Sequence, residues 1–199
     1  MYTLYFIPGA CSLATQVVLR ELNQPVELIL RDSVDNFEAL NPVGTVPVLT
    51  TDKQILREGA GILMYLLDKY ENTMMPTDEK ARRKAVEDIL FANATMHPTY
   101  SRLFFTMQNV EASAQTAAYA AAAKAINHLW AVVEKKLRTS TFLGGEYPSA
   151  ADILLAVYQR WGANFPVEIT LGPKAQAMVD AVQSMPSFVA SLAAEDELS

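Results

Sequence analysis

The sequence predicts an α/β half followed by an all-α half. Residues 1–75 alternate short apolar runs with stretches of helical spacing. The texture changes after Met74-Met75-Pro76, and no strand signal of comparable quality follows. The first half reads β-α-β-α-β-β-α, which predicts a sheet packed against helices. The expected domains are residues 1–75 and 78–199, divided at about 72–77.

The elements follow in order. "TLYFI" reads as a buried strand, and "SLATQVVLREL" places Leu13, Val17, Leu19 and Leu22 near helical spacing. "VELIL" is a second strand, and "FEAL" has room for one helical turn before Asn41-Pro42. "VPVLT" and "QIL" form a strand pair turning at Thr51-Asp52-Lys53. "GAGILMYLLDKY" is a helix with Ile62, Leu63, Leu66, Leu67 and Tyr70 on one broad face. Residues 78–107 and 113–138 read as two long helices, the second carrying the high-propensity run "AAYAAAAKA". "SAADILLAVYQRW" is a third strong helix, opened by a Ser149-x-x-Asp152 capping box. Residues 173–185 and 186–194 give shorter helices, with Pro173 and Pro186 at first-turn positions.

Composition narrows the function. The chain has 199 residues, 51% hydrophobic and 19% charged, a globular balance with a sizeable core. A net charge of -6 argues against nucleic acid as a partner. One cysteine excludes an internal disulfide framework and points to a reducing, cytoplasmic setting. Residues 1–19 carry no charged side chain, but Pro8-Gly9 interrupts them and no basic run precedes them, so neither a signal peptide nor a membrane span is expected. Two histidines and one cysteine make no metal cluster, and no glycine-rich phosphate loop with lysine is present. His128, among apolar neighbours, reads as a packed or partly exposed histidine, and "KARRKAVED" as a solvated helix face.

Three segments carry candidate chemistry. In "YFIPGACSL" the only cysteine, Cys11, stands where a strand turns into a helix beginning at about Ser12. Backbone N–H groups and the helix dipole favour a thiolate there. Ser12 can cap the helix or donate to a bound sulfur, and the alternative for Cys11 is a small buried hydrophobe. In "NPVGTVPVL", Pro47 enters a strand-like run. A cis Val46-Pro47 bond leaves the N–H and C=O of Val46 free to pair with a peptide-like ligand, while a trans bond makes it an ordinary edge proline. In "LREGAGILMYL", Glu58-Gly59 precedes an apolar helix. Glu58 either caps that helix or faces a ligand's ammonium group, with helix N–H groups holding a carboxylate.

Together, in this order and before an all-helical half, these segments resemble the cytosolic glutathione S-transferases, a thioredoxin-like domain followed by a helical one. "YFIPGACSLATQVVLRE" is most similar to the bacterial beta class, and the likeness runs from residue 2 to roughly 161. The resemblance implies that Val46, with Pro47 cis, holds the cysteinyl backbone of glutathione and that Glu58 and Gly59 hold its γ-glutamyl end. It sets Cys11 beside the glutathione sulfur, within reach of a mixed disulfide, and supplies His97 of "NATMHPTYSRLFF" from the helical domain. Tyr5 and Ser12 are rival thiolate donors. The implied function is conjugation of glutathione, the co-substrate, to hydrophobic electrophiles by a homodimer with sites near the subunit contact, without a metal, nucleic acid or membrane. The alternatives are glutathione-dependent thiol-disulfide or peroxide reduction through Cys11 and a non-catalytic binding module. Three positions depart from the pattern: Arg31 is the candidate substitute for a lysine-rich stretch, Pro98 stands where a lysine often follows the histidine, and Leu90 where related chains offer a polar group to the neighbouring subunit. Tyr100, Phe104 and Trp161 are candidates for the electrophile pocket wall.

Overall fold

The computed structural model describes residues 1–198. Strands β1 (Tyr2–Phe6), β2 (Val26–Leu30), β3 (Val48–Thr50) and β4 (Ile55–Arg57) form one mixed sheet in the order β2-β1-β3-β4. β1 runs parallel to β2 and antiparallel to β3, with Leu4 opposite Leu28 on one side and Leu49 on the other. The alternation in β1 buries Tyr2, Leu4 and Phe6 and turns Thr3 and Tyr5 to the other face. The single helical turn expected at "FEAL" is a 3-10 turn, Phe37–Ala39, preceded by another at Arg31–Ser33; only ten residues separate Leu30 from Asn41.

Helix α1 (Ser12–Glu21) explains why the first 19 residues lack charge. Every residue from Ser12 to Leu19 is buried. The helix is covered by β1 and α2 (Gly59–Lys69) of its own half, and by α6 (Ala150–Trp161) and α8 (Pro186–Asp196) of the helical half. A helix enclosed all round has no solvent face on which to carry charge.

The helical half also contains α3 (Glu79–Leu90), α4 (His97–Asn109), α5 (Ala112–Lys136) and α7 (Pro173–Gln183). The predicted helix over 78–107 is two helices joined by a π-helical segment, Phe91–Met96. Pro98 supplies the reason: it has no N–H for the carbonyl one turn back, and its ring crowds that carbonyl, so the ladder widens there. Such widened turns recur at functional sites, and this one carries Asn93 and leads into His97. The Ser149–Asp152 capping box forms as expected: the Asp152 N–H donates to Ser149 Oγ at 3.3 Å and the Ser149 N–H to Asp152 Oδ2 at 2.8 Å.

Candidate functional site

A cavity of about 690 Å³ lies between the two halves, lined from the turn that follows β1, from the Gly44–Pro47 segment, from the start of α2 and from α4 and α6. Cys11, Val46, Pro47, Glu58, Gly59 and His97, which are remote in sequence, all face it.

The turn carrying Cys11 is fastened from both sides by the helical half. The Gly9 N–H donates to Glu195 Oε2 at 2.8 Å, and Trp161 Nε1–H donates to the Gly9 carbonyl at 2.7 Å. Gln16 Nε2 donates to the other Glu195 oxygen at 2.6 Å. Gly9 sits at φ +71°, in the left-handed region where glycine is favoured. Sequence reading missed Glu195, because it lies 186 residues from the glycine it holds.

Cys11 occupies the N-cap position of α1, and no side chain caps that helix. Its sulfur differs from the expected thiolate. Burial pushes the Cys11 thiol up to about 11, outweighing the backbone N–H groups of Cys11 and Ser12 that favour the anion; nearby Glu58 adds to the rise. The thiol donates instead to the Val46 carbonyl at 3.4 Å. Helix position was legible in sequence; desolvation by α6 and the cavity walls was not.

The Val46–Pro47 bond is cis. The turn before it is tied by Asn41, whose Nδ2 donates to the Thr45 carbonyl at 2.7 Å. Glu58 adopts φ 67° and forms no side-chain cap on α2. Of the two readings left open for it, capping does not occur, and the carboxylate is left at the cavity. Pro47 and Asn93 flank the Gly59 backbone: a Cβ there would meet Asn93 Oδ1 at 3.5 Å and the Pro47 ring at 3.7 Å. Asn93 lies one helical turn before His97, so a shared face was the available signal for it.

His97 packs its ring edge-on against Tyr158 and Trp161, at 5.1 and 5.2 Å between centroids. Burial pushes its pKa down, so the imidazole is neutral at pH 7 and able to accept a proton. Ser101 Oγ lies 3.5 Å from its Nδ1.

Other candidates fall elsewhere. Tyr5 packs against Phe37 at 5.9 Å and does not line the cavity. Ser12 is fully buried, with Oγ donating to the Ile7 carbonyl at 3.4 Å. Phe104 and Trp161 form part of the wall, whereas Tyr100 is buried behind it and accepts from Trp130 Nε1 at 2.8 Å. Arg31 is paired with Asp32 at 2.8 Å and Glu38 at 3.6 Å, and no lysine or arginine lines the cavity among the described residues. Leu90 ends α3 with 43% of its surface exposed, and His128 is exposed on α5. Among the described residues no acidic, histidine or cysteine group is placed to hold a metal, and no helix is long and apolar enough to cross a membrane.

Comparison with known proteins agrees with this layout. Sequence profiles for the glutathione S-transferase N-terminal and C-terminal domains match residues 12–74 and 91–183. Glutathione S-transferase GST-4.5 of Xanthomonas campestris pv. campestris is 33% identical over 174 residues, covering 84% of this chain and 85% of that protein. The solved structure of a glutathione S-transferase from Xylella fastidiosa superposes with a TM-score of 0.90 at 28% identity, covering 98% of this chain and 99% of that one. The beta-class enzyme of Sphingomonas chungbukensis gives 0.85 at 28% identity, over 97% and 98% of the two chains. A thioredoxin-like sheet and a helical domain meeting at one cavity, with sequence likeness across both halves, place this chain in the glutathione S-transferase family.

Proposed function

We propose that this cavity binds glutathione as co-substrate and conjugates its thiol to hydrophobic electrophiles. The observation that carries the reading is the convergence of Val46, Glu58-Gly59, Cys11 and His97 on one cavity flanked by two helix starts that no side chain caps. The Val46 backbone pairs with the cysteinyl unit as an added strand segment; its carbonyl has two lone pairs, so it can accept from that unit as well as from Cys11. Glu58 faces the γ-glutamyl ammonium, and the first N–H groups of α2 face its carboxylate.

The guest thiol must lose its proton to attack. Neutral His97 accepts it, and the N-terminus of α1 favours the anion that remains. Cys11, held as a thiol with its hydrogen on the Val46 carbonyl, adds no competing charge beside that anion. Phe104 and Trp161 offer an apolar wall to the electrophile. A thermal-shift titration with glutathione and its S-hexyl form tests the reading: the melting temperature rises with ligand concentration as binding to the folded state requires. No shift with either ligand at millimolar concentration contradicts it.

Reduction through a Cys11–glutathione mixed disulfide ranks second. Cys11 faces the cavity, and free glutathione can resolve the intermediate without a second cysteine. The raised thiol pKa makes this route slow at neutral pH. Incubation with oxidised glutathione followed by mass spectrometry distinguishes the two. The same reading makes the protein a cytoplasmic homodimer, for which sedimentation at twice the chain mass is the test.

A further inference from the structure

His97 is followed one helical turn later by Ser101, and both line the cavity. Residues at that spacing share a helix face, which brings the hydroxyl to the imidazole. Ser101 Oγ lies 3.0 Å from the His97 carbonyl oxygen and 3.5 Å from its Nδ1. A carbonyl can only accept, so the hydroxyl hydrogen goes to it. The lone pairs of Oγ are then left for Nδ1. A protonated Nδ1 donates to them, and both contacts are made at once. With Nδ1 bare, either two lone pairs face each other or the hydroxyl leaves the nearer carbonyl. The second contact is the longer and weaker one, enough to bias a tautomer but not to lock the ring. The other ring nitrogen, Nε2, has no protein partner among the described residues and is not sealed from solvent.

We infer that Ser101 is a positioning residue for His97: its Oγ accepts from Nδ1–H and favours the tautomer whose bare Nε2 opens on the cavity. Free neutral histidine prefers the opposite form, with the proton on Nε2. That form would present a donor to the cavity, where taking a proton needs an acceptor. The Tyr158 and Trp161 rings, edge-on at 5.1 and 5.2 Å, restrict the plane of the imidazole, and burial keeps it neutral. Neither distinguishes one ring nitrogen from the other. Ser101 supplies that choice. The consequence for catalysis rests on the glutathione reading: Nε2 is then the atom that takes the thiol proton, and Ser101 acts through it without touching the substrate.

Nitrogen-15 NMR of the imidazoles reads the tautomer and needs no glutathione, so the two readings fail separately. The chain has two histidines, and His97→Gln assigns the spectrum. At about pH 8, above the ordinary imidazole value, His97 is expected mainly as Nδ1–H with Nε2 bare, while exposed His128 shows the reverse. Ser101→Ala is expected to move His97 to the pattern of His128, with a melting temperature within about 2 °C of the parent. Ser101→Thr, which keeps a hydroxyl, restores the parent spectrum. In the conjugation assay, Ser101→Ala lowers kcat about fivefold and leaves KM for glutathione nearly unchanged. The inference is overturned if the parent carries the His97 proton on Nε2, if Ser101→Ala leaves that tautomer unchanged, if Ser101→Thr fails to restore it, or if kcat is unmoved once the tautomer has shifted. The expected spectra in a protein that conjugates no glutathione support the tautomer assignment and defeat the glutathione reading alone.

Discussion

Helices α1 and α6 begin in opposite ways. At α6, Asp152 is buried and accepts from the Ser149 N–H, the Ser149 hydroxyl and the Leu143 N–H, all within 2.9 Å. The chain's own carboxylate fills the electropositive end. At α1 no side chain does so, the preceding turn is pinned through Gly9 by the other half of the molecule, and the open end borders a cavity. α2 repeats the second arrangement, with Glu58 at its N-cap position but not bonded to it. All three starts are held in place. Only the first is saturated, which makes it architecture, while the other two keep donors for a guest.

The largest effect expected from this contrast is at the sealed start. Asp152→Ala strands several buried donors and lowers unfolding free energy by about 3–5 kcal/mol in urea titrations; a loss below about 1 kcal/mol breaks the contrast. Ser149→Ala, which removes the cap but leaves the carboxylate, is expected to lose about 1–2 kcal/mol. At the open start of α2, Glu58→Gln changes stability by less than about 0.5 kcal/mol yet weakens glutathione binding roughly tenfold by calorimetry, because one charge-assisted contact is lost. Equal losses of stability at Glu58 and Ser149 would erase the distinction.

The remaining effects appear only at extremes of pH. The folded-state pKa of Cys11 is raised to about 11, so its contribution to stability is complete below the ordinary thiol value and is lost as pH rises through about 11. Cys11→Ala flattens the alkaline limb of the melting profile. His97 shifts the other way: its pKa is lowered by burial, so its contribution is present above the ordinary imidazole value and lost as pH falls through the lowered one. His97→Gln flattens the acid limb. An unchanged profile in either variant contradicts the burial argument for that residue.

Much of this was legible in the chain because it is local. The first strand, the capping box at Ser149 and the turn at Asn41–Pro47 each follow from neighbouring residues. The candidate residues Cys11, Val46, Pro47, Glu58, Gly59 and His97 were found through motif resemblance, and the fold brings all six to one cavity. What escaped depends on distant contacts. Desolvation reverses the pKa direction expected of Cys11 from its helix position. The π-helical segment is a local exception: Pro98 acts on the turn directly before it and breaks a helix that reads as continuous. Tyr5 sits on the face of β1 that meets Phe37, a partner 32 residues away, and so lies off the cavity.

The most direct test of the open-start account is a crystal soaked in glutathione. The account predicts the tripeptide along the Val46 backbone, its γ-glutamyl end at Glu58 and the α2 start, and its sulfur beside Cys11. A tripeptide bound elsewhere, or a cavity unchanged at saturating concentration, contradicts it.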